Sequence, residues 1–144
     1  MLSALCAEHA EFLLVGAFAL AVHGEPRATG DMDLWVRPTP ENAQRVVAAL
    51  RRFGAPMERI AATDLEQPDI VLQLGVRPNR IDFLTGVDGV SFDEAWAGKL
   101  ESEVEGLRIP VIGRAELIRN KRATGRTRDL ADAEALERGG RQGG

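Results

Sequence analysis

The sequence has very few of the side chains that bind soft metal ions. Its 144 residues include one cysteine, Cys6, and two histidines, His9 and His23. A single cysteine cannot form a disulfide within the chain or a cysteine-rich zinc site, so we expect Cys6 to pack within a helix. Two histidines exclude a histidine-rich metal centre. Carboxylate oxygens remain as ligands, and these favour Mg²⁺ or Mn²⁺ over zinc.

Long hydrophobic runs are also missing. No apolar segment approaches the length that spans a bilayer, and the apolar residues at 13–15 are too few for the core of a signal peptide. We therefore expect a cytoplasmic protein with no membrane partner. The length and the 44% hydrophobic content suit one domain with a substantial core, over residues 1–138, followed by a disordered glycine-rich tail at 139–144.

The sequence also has no excess of positive charge. The formal net charge is −4, which argues against binding nucleic acid over a broad surface without sequence preference. The basic residues are unevenly distributed, however, because the segment 119–128 contains five of them and no acid. The net charge therefore does not exclude a local basic patch near the C-terminus.

Apolar spacing, glycine, proline and capping residues predict alternating strands and helices. Thr39, Pro40 and Glu41 are typical of a helix start, and Gly54 of its end. Ser91 and Glu94 form a capping-box pattern before another short helix. The remaining elements are helices over 2–10, 17–23, 116–121 and 130–136, strands over 11–15, 32–37, 69–74 and 80–84, and a hairpin over 104–112 in which Pro110 indicates an edge strand.

Two carboxylates open the second predicted strand. Asp31 and Asp33 lie on the same face because side chains alternate along a strand, and they repel each other unless a cation lies between them. Asp82 stands in an apolar strand with its side chain opposite to its neighbours, and it joins the pair if the two strands are adjacent. Gly16 opens a helix whose first amides suit a phosphate.

This set of groups predicts phosphoryl transfer on a nucleoside triphosphate. Three carboxylates can hold two divalent ions, of which one activates an attacking hydroxyl and the other stabilises the leaving pyrophosphate. Asp82 is also suited to accept the attacking proton. The alternatives are a solvated strand start for Asp31 and Asp33, an exposed strand face for Asp82 and a simple turn at Gly16. An EF-hand is excluded because Val36 stands where its glycine is required.

These motifs resemble the minimal signature of the DNA polymerase beta-like nucleotidyltransferase superfamily. Within it, the sequence is similar to a group of small bacterial nucleotidyltransferases related to the AbiEii-like toxins. The resemblance covers nearly the whole chain, and its blocks in order are specific for the group. They are Val15-Gly16-Ala17, Thr29-Gly30-Asp31-Met32-Asp33, Gln73-Leu74-Gly75-Val76, Asn79-Arg80-Ile81-Asp82, Pro110-Val111-Ile112-Gly113, Asn120-Lys121-Arg122-Ala123 and Asp129-Leu130-Ala131-Asp132.

The resemblance implies an α+β fold, a mixed β-sheet of nucleotidyltransferase type with helices packed mainly on one face. It also implies transfer of a nucleoside monophosphate from an NTP to a hydroxyl acceptor on RNA, protein or a small molecule, in a reaction that depends on Mg²⁺ or Mn²⁺. A toxin–antitoxin or phage-defence setting follows from the same relatives. A chain of 144 residues has little room for a separate acceptor domain, so we expect a partner protein or a homodimer to supply one. The alternative is a module on this fold that binds a nucleotide or a partner without turnover.

When the roles of the family's functional residues are assigned to the matching positions of this sequence, Asp31 and Asp33 are metal ligands and Asp82 is the third ligand or the base. Gly16 and Ala17 become phosphate-binding residues, and Lys121 a contact to the triphosphate. Ala17 departs from the Gly-Gly or Gly-Ser of the family and lacks a hydroxyl for phosphate. For two residues of the loop before the acids, nucleotide binding and ordinary turn chemistry both stay open: Arg27 and Thr29.

Overall fold

The structure is a computed structural model that describes residues 1–26, 30–76 and 79–143, with side chains up to residue 139. Its helices are α1 (Leu2–Ala7), α2 (Gly16–Val22), α3 (Pro40–Phe53), α4 (Phe92–Ala97), α5 (Arg114–Thr124) and α6 (Thr127–Gly143). Its strands are β1 (Phe12–Val15), β2 (Met32–Val36), β3 (Val71–Leu74), β4 (Ile81–Leu84), β5 (Leu100–Val104) and β6 (Leu107–Val111). Short 3₁₀ turns at Met57–Arg59 and Ala62–Glu66 connect α3 to β3.

The six strands of the described ranges form one mixed sheet in the order β3-β4-β2-β1-β6-β5. The pairs β2–β4 and β1–β6 are parallel, whereas the pairs β1–β2, β3–β4 and β5–β6 are antiparallel. This arrangement confirms the predicted α+β class with a mixed sheet.

The core forms around β1, whose residues Phe12–Val15 are all buried. The long helix α3 packs its apolar residues, among them Val46 and Leu50, into the same core. Its predicted ends are confirmed, because the Thr39 side chain accepts a hydrogen bond from the Asn42 amide and Gly54 ends the helix with φ of +92°. Cys6 packs partly buried against the core, as its place in a helix predicts.

The expectation that Pro110 marks an edge strand is wrong. Its strand β6 lies between β1 and β5. The edge strand on this side of the sheet is β5, which the sequence patterns do not predict over its full length. The ladder between β1 and β6 is short, with Leu14 opposite Val111 and a hydrogen bond from the Ile112 amide to the Leu14 carbonyl. Because this ladder meets β6 beyond Pro110, it tolerates a residue without an N–H.

The C-terminus also differs from its prediction. The helix α6 continues to Gly143, so most of the segment 139–144 is helical rather than a disordered tail, and Gly144 lies outside the described residues. In the described part of the chain, no helix combines the length and apolar character needed to cross a bilayer.

Candidate active site

The sheet register brings the predicted acids together. Strands β2 and β4 are parallel neighbours, and Asp33 lies directly opposite Asp82. Paired residues of adjacent strands project from the same face, so the two carboxylates lie side by side. Asp31 comes two residues before Asp33 and accepts a hydrogen bond of 2.9 Å from the Arg80 amide, which ties it to the start of β4. The three acids therefore gather at one end of the β2–β4 pair.

Asp33 has a carboxyl group whose pKa is raised by its surroundings. Burial is the largest cause that raises its pKa, from 3.8 to about 6. The neighbouring charge of Asp82 raises it further, followed by a smaller effect of Asp31 and a hydrogen bond with Asp82, while Arg80 opposes the shift. Crowded carboxylates of this kind stabilise a bound cation, because the cation removes the repulsion between them.

Gly16 is required where β1 turns into α2. Its φ is +67°, and a Cβ built on it would lie 2.2 Å from Oδ2 of Asp33. The close approach follows from the register, since Val15 pairs with Asp33 across the antiparallel β1–β2 ladder. Glycine at this position thus leaves space for the Asp33 carboxylate, a second reason for this residue besides the phosphate seat that the sequence suggests.

Sequence reasoning missed Arg80 as a site residue. Its Nε lies 2.9 Å from Oδ1 of Asp82, and its Nη2 donates to Oδ2 of the same carboxylate at 3.1 Å. The Nε–Oδ1 contact is an ion pair without hydrogen-bond angles, since within the described ranges neither atom has a hydrogen-bond partner. The signal that could have found Arg80 is its spacing: residues two apart on a strand share a face.

A second charged group comes from the C-terminal helices. Lys121 on α5 lies 3.5 Å from a carboxylate oxygen of Asp129 and 3.3 Å from one of Asp132, both on α6. These two carboxylate side chains are only 2% and 4% exposed, and Arg126 adds a 2.7 Å contact to Asp129. The pKa of Asp129 stays below its usual value: burial raises it, but the hydrogen bond from Arg126 and the charges of Lys121 and Arg126 together outweigh burial.

Both groups face one cavity of about 580 Å³. Of the residues predicted from the sequence, six line it: Gly16, Ala17, Asp31, Asp33, Asp82 and Lys121. Arg80, Asp129 and Asp132 line it as well. The two remaining predicted residues, Arg27 and Thr29, lie outside the described residues. The structure thus brings residues from four separate parts of the sequence together around one cavity.

The fit of this space to a divalent metal ion is only partial. Carboxylate oxygens are the hard ligands that Mg²⁺ and Mn²⁺ prefer, and the crowding at Asp33 favours a cation. Across residues 1–26, 30–76 and 79–143, however, no group of three or more acidic, histidine or cysteine side chains has the arrangement of a metal site. The third carboxylate, Asp82, is instead paired with the Arg80 guanidinium.

The basic segment 119–128 is largely neutralised by acids. Arg119 pairs with Glu94 at 2.9 Å, Arg122 pairs with Glu137, and Lys121 and Arg126 bind the acids of α6. Four of the five basic residues in this segment therefore have acidic partners within the described part of the chain. Only Arg128 of this segment lines the cavity without an ion pair to an acid among the described contacts.

Comparison with known proteins supports the fold. A crystal structure of a candidate nucleotidyltransferase from Thermotoga maritima superposes with a TM-score of 0.56, covering 94% of this chain and 85% of that chain at 18% sequence identity. At this identity the likeness shows that the two proteins share a fold. No protein-family model matches the sequence, and no curated protein is significantly similar to it.

Proposed function

We propose that this protein is a metal-dependent nucleotidyltransferase, which moves a nucleoside monophosphate from an NTP to a hydroxyl acceptor. The observation that carries the proposal is the single cavity lined by Asp31, Asp33, Asp82, Gly16 and Lys121. It joins crowded carboxylates to a lysine that is paired with two buried acids, on the fold that a candidate nucleotidyltransferase also has. The closer kinship to AbiEii-like toxins belongs to the same proposal and rests on the sequence motifs.

In this proposal Asp31 and Asp33 hold Mg²⁺ or Mn²⁺. When bound, the ion supplies positive charge to the triphosphate and lowers the pKa of the attacking hydroxyl. The amides of Gly16 and Ala17 and the ammonium of Lys121 orient the phosphates, and Asp129 and Asp132 keep Lys121 directed toward the cavity. Asp82, which the sequence predicts to be the third ligand or the base, lies beside Asp33 on the acidic face and is paired with Arg80. Arg27 and Thr29 belong to the proposed nucleotide contacts.

The acceptor is the least specified part of the reaction. RNA, protein and small molecules all offer hydroxyl groups, and a partner protein or a second copy of the chain could present one. The ion pairs of Arg119, Lys121, Arg122 and Arg126 leave little unbalanced charge for an RNA backbone. This neutralisation favours a protein or a small molecule as acceptor. The toxin–antitoxin or phage-defence setting is part of the same proposal and rests on the sequence motifs.

Radiolabel transfer tests the proposal directly. The purified chain is incubated with each α-labelled NTP, Mg²⁺ or Mn²⁺ and cell extract, and labelled RNA, protein and small molecules are then resolved. We expect a labelled product and pyrophosphate that disappear in Asp33→Asn and persist in Asp64→Asn, an exposed acid outside the cavity. No labelled product with any NTP and either metal would contradict transfer.

Ala17 favours a second candidate, a module that binds nucleotide without turnover. Alanine keeps the backbone amide of a phosphate loop but lacks the hydroxyl that serine supplies in the related sequences with Gly-Ser. This candidate predicts a measurable Kd for Mg²⁺–ATP by calorimetry, lost in the Asp31→Asn, Asp33→Asn double variant, with no pyrophosphate released. A growth assay tests whether the chain acts as a toxin. If it does, expression of the wild-type chain should arrest growth, and Asp33→Ala should relieve that arrest.

A further inference from the structure

Arg80 occupies an unusual place for a basic residue. Its guanidinium contacts both oxygens of Asp82, at 2.9 Å through Nε and 3.1 Å through Nη2. The two side chains are 19% and 12% exposed, so water screens this ion pair only weakly. A guanidinium keeps its charge at every physiological pH, which makes it a permanent cation in the cavity.

The backbone of Arg80 fixes the same residue to the other acids. Its amide donates to Asp31 at 2.9 Å, and its carbonyl accepts from the Met32 amide at 2.9 Å. Arg80 therefore lies where β2 and β4 begin, and the alternation of side chains along the strand directs its guanidinium onto Asp82. The contact is built into the sheet register rather than left to a mobile surface side chain.

A carboxylate with both oxygens on one guanidinium is not available as an ordinary metal ligand. Before a nucleotide binds, two divalent ions beside Arg80 would also bring far more positive charge than the carboxylates of Asp31, Asp33 and Asp82 can balance. One divalent ion and one guanidinium, by contrast, balance three carboxylates in formal charge. The lack of a three-ligand metal group across the described residues agrees with this count.

We infer that Arg80 takes the place of a second metal ion, so that the chain binds one divalent cation, on Asp31 and Asp33, instead of two. The inference rests on the proposed function, because it concerns the same cavity. Asp82 then acts as a positioning residue that holds the guanidinium beside the phosphates. The fixed charge of Arg80 then stabilises the pyrophosphate leaving group, which is the role of the second of the two cations in such a transfer.

Counting bound Mn²⁺ tests this without any reaction. Free Mn²⁺ is measured by electron paramagnetic resonance while the full chain is titrated with Mn²⁺ alone. We expect one ion per wild-type chain, one per Arg80→Lys chain and two per Arg80→Met chain, with the first ion bound about tenfold more tightly in Arg80→Met because a neighbouring positive charge is gone. Arg108→Met, which removes an exposed arginine paired with Glu101, should bind like the wild type.

The outcomes separate this inference from the proposed function. Two ions on the wild-type chain, or the same number on wild type and Arg80→Met, would overturn the role of Arg80 and leave the nucleotidyltransferase proposal in place. No Mn²⁺ on any variant would overturn both. Circular dichroism checks that each variant is folded, and if Arg80→Met fails to fold, the wild-type count decides: one ion supports the inference and two contradict it.

Discussion

At the scale of single residues, the cavity contains an acid, Asp33, whose environment disfavours its ionised form. Asp33 is held where burial and two neighbouring carboxylates raise its pKa to about 6. An acid with a raised pKa in the folded state favours folding while it is protonated, and that contribution is lost as the pH rises through the folded-state pKa. The ionised form of Asp33, which a metal ion needs, is therefore the form that destabilises the metal-free fold.

Asp33→Asn should consequently stabilise the metal-free protein. The wild-type free energy of unfolding should lose a contribution as the pH rises from about 4 to about 6, and the variant should not show this loss. We expect the variant to be more stable by about 1 kcal/mol at pH 8, after allowing for partial solvent screening. Urea unfolding from pH 4 to 8 in EDTA measures this, and parallel pH profiles for the two proteins would contradict it.

Gly16→Ala should distort the same carboxylate. The new Cβ would lie 2.2 Å from Oδ2 of Asp33, and φ of +67° adds backbone strain for any L side chain. We expect a loss of about 2–3 kcal/mol in the free energy of unfolding, together with at least tenfold weaker Mn²⁺ binding.

Gly24→Ala is a matched control for this variant. Gly24 also has a positive φ, +90°, but a Cβ added there would have no atom within 4 Å among the described residues. The control should lose only the strain of about 1 kcal/mol and keep its Mn²⁺ affinity. Equal losses in the two variants would show that the contact with Asp33 is not the cause.

At the scale of elements, one buried amide connects α3 to two strands. Asn42, 1% exposed, accepts from the Glu11 amide at 2.6 Å and donates to the carbonyls of Glu11 and Arg37 at 2.9 and 3.0 Å. Glu11 precedes β1 and Arg37 follows β2, so this side chain clamps the far end of the β1–β2 pair. The opposite end of the same pair carries Gly16 and Asp33.

Asn42→Ala should therefore destabilise the fold strongly. It removes three hydrogen bonds to partly buried backbone groups of Glu11 and Arg37, for an expected loss of about 3 kcal/mol in the free energy of unfolding. Gln44→Ala, on the exposed face of the same helix, should change it by less than about 0.5 kcal/mol. Urea unfolding compares the free energies of unfolding of the two variants. A loss below about 1 kcal/mol for Asn42→Ala would show that Asn42 does not hold this end of the β1–β2 pair together.

At the scale of the whole molecule, the cavity exists because distant segments meet. The acids come from β2 and β4, the glycine turn from the start of α2, and Lys121, Asp129 and Asp132 from the C-terminal helices. Arg114 holds these helices in place, since it donates to the carbonyls of His23 and Leu136 at 3.2 and 2.8 Å. A change at the C-terminal helices should therefore affect both folding and the site.

Lys121→Met tests this coupling. It would leave two almost fully buried carboxylates with only Arg126 as a cationic neighbour among the described ion pairs, for an expected loss of about 3 kcal/mol in the free energy of unfolding. Lys121→Arg should retain most of that stability, because it keeps the charge. Chemical unfolding measures both variants, and equal stability of Lys121→Met and the wild type would refute the buried ion pairs.

Mg²⁺–ATP affinity of the same pair of variants gives an independent readout. If Lys121 contacts the triphosphate, Lys121→Met should bind about tenfold more weakly or worse at concentrations where it is still folded. Lys121→Arg should lose less. Unchanged affinity in folded Lys121→Met would limit Lys121 to a structural role.

Much of the fold was predictable from local patterns. Thr39, Pro40 and Gly54 set the ends of α3 because capping and left-handed backbone depend on neighbours in the sequence. Alternation around Asp31, Asp33 and Asp82 was enough to predict a shared face once β2 and β4 pair. Pro110 misled because proline excludes only an amide hydrogen bond, and the short β1–β6 ladder does not need one there.

The sequence by itself determined which residue types could meet a metal and a phosphate, since it offers carboxylates and glycine but almost no cysteine or histidine. Only the tertiary structure decided which charges face each other. The parallel register of β2 and β4 placed Asp33 against Asp82 and put the Arg80 guanidinium on that carboxylate. The docking of α5 and α6 placed Lys121 beside two buried acids. Electrostatic energy depends on distance and burial, which side chains acquire only when strands and helices far apart in the sequence pack together.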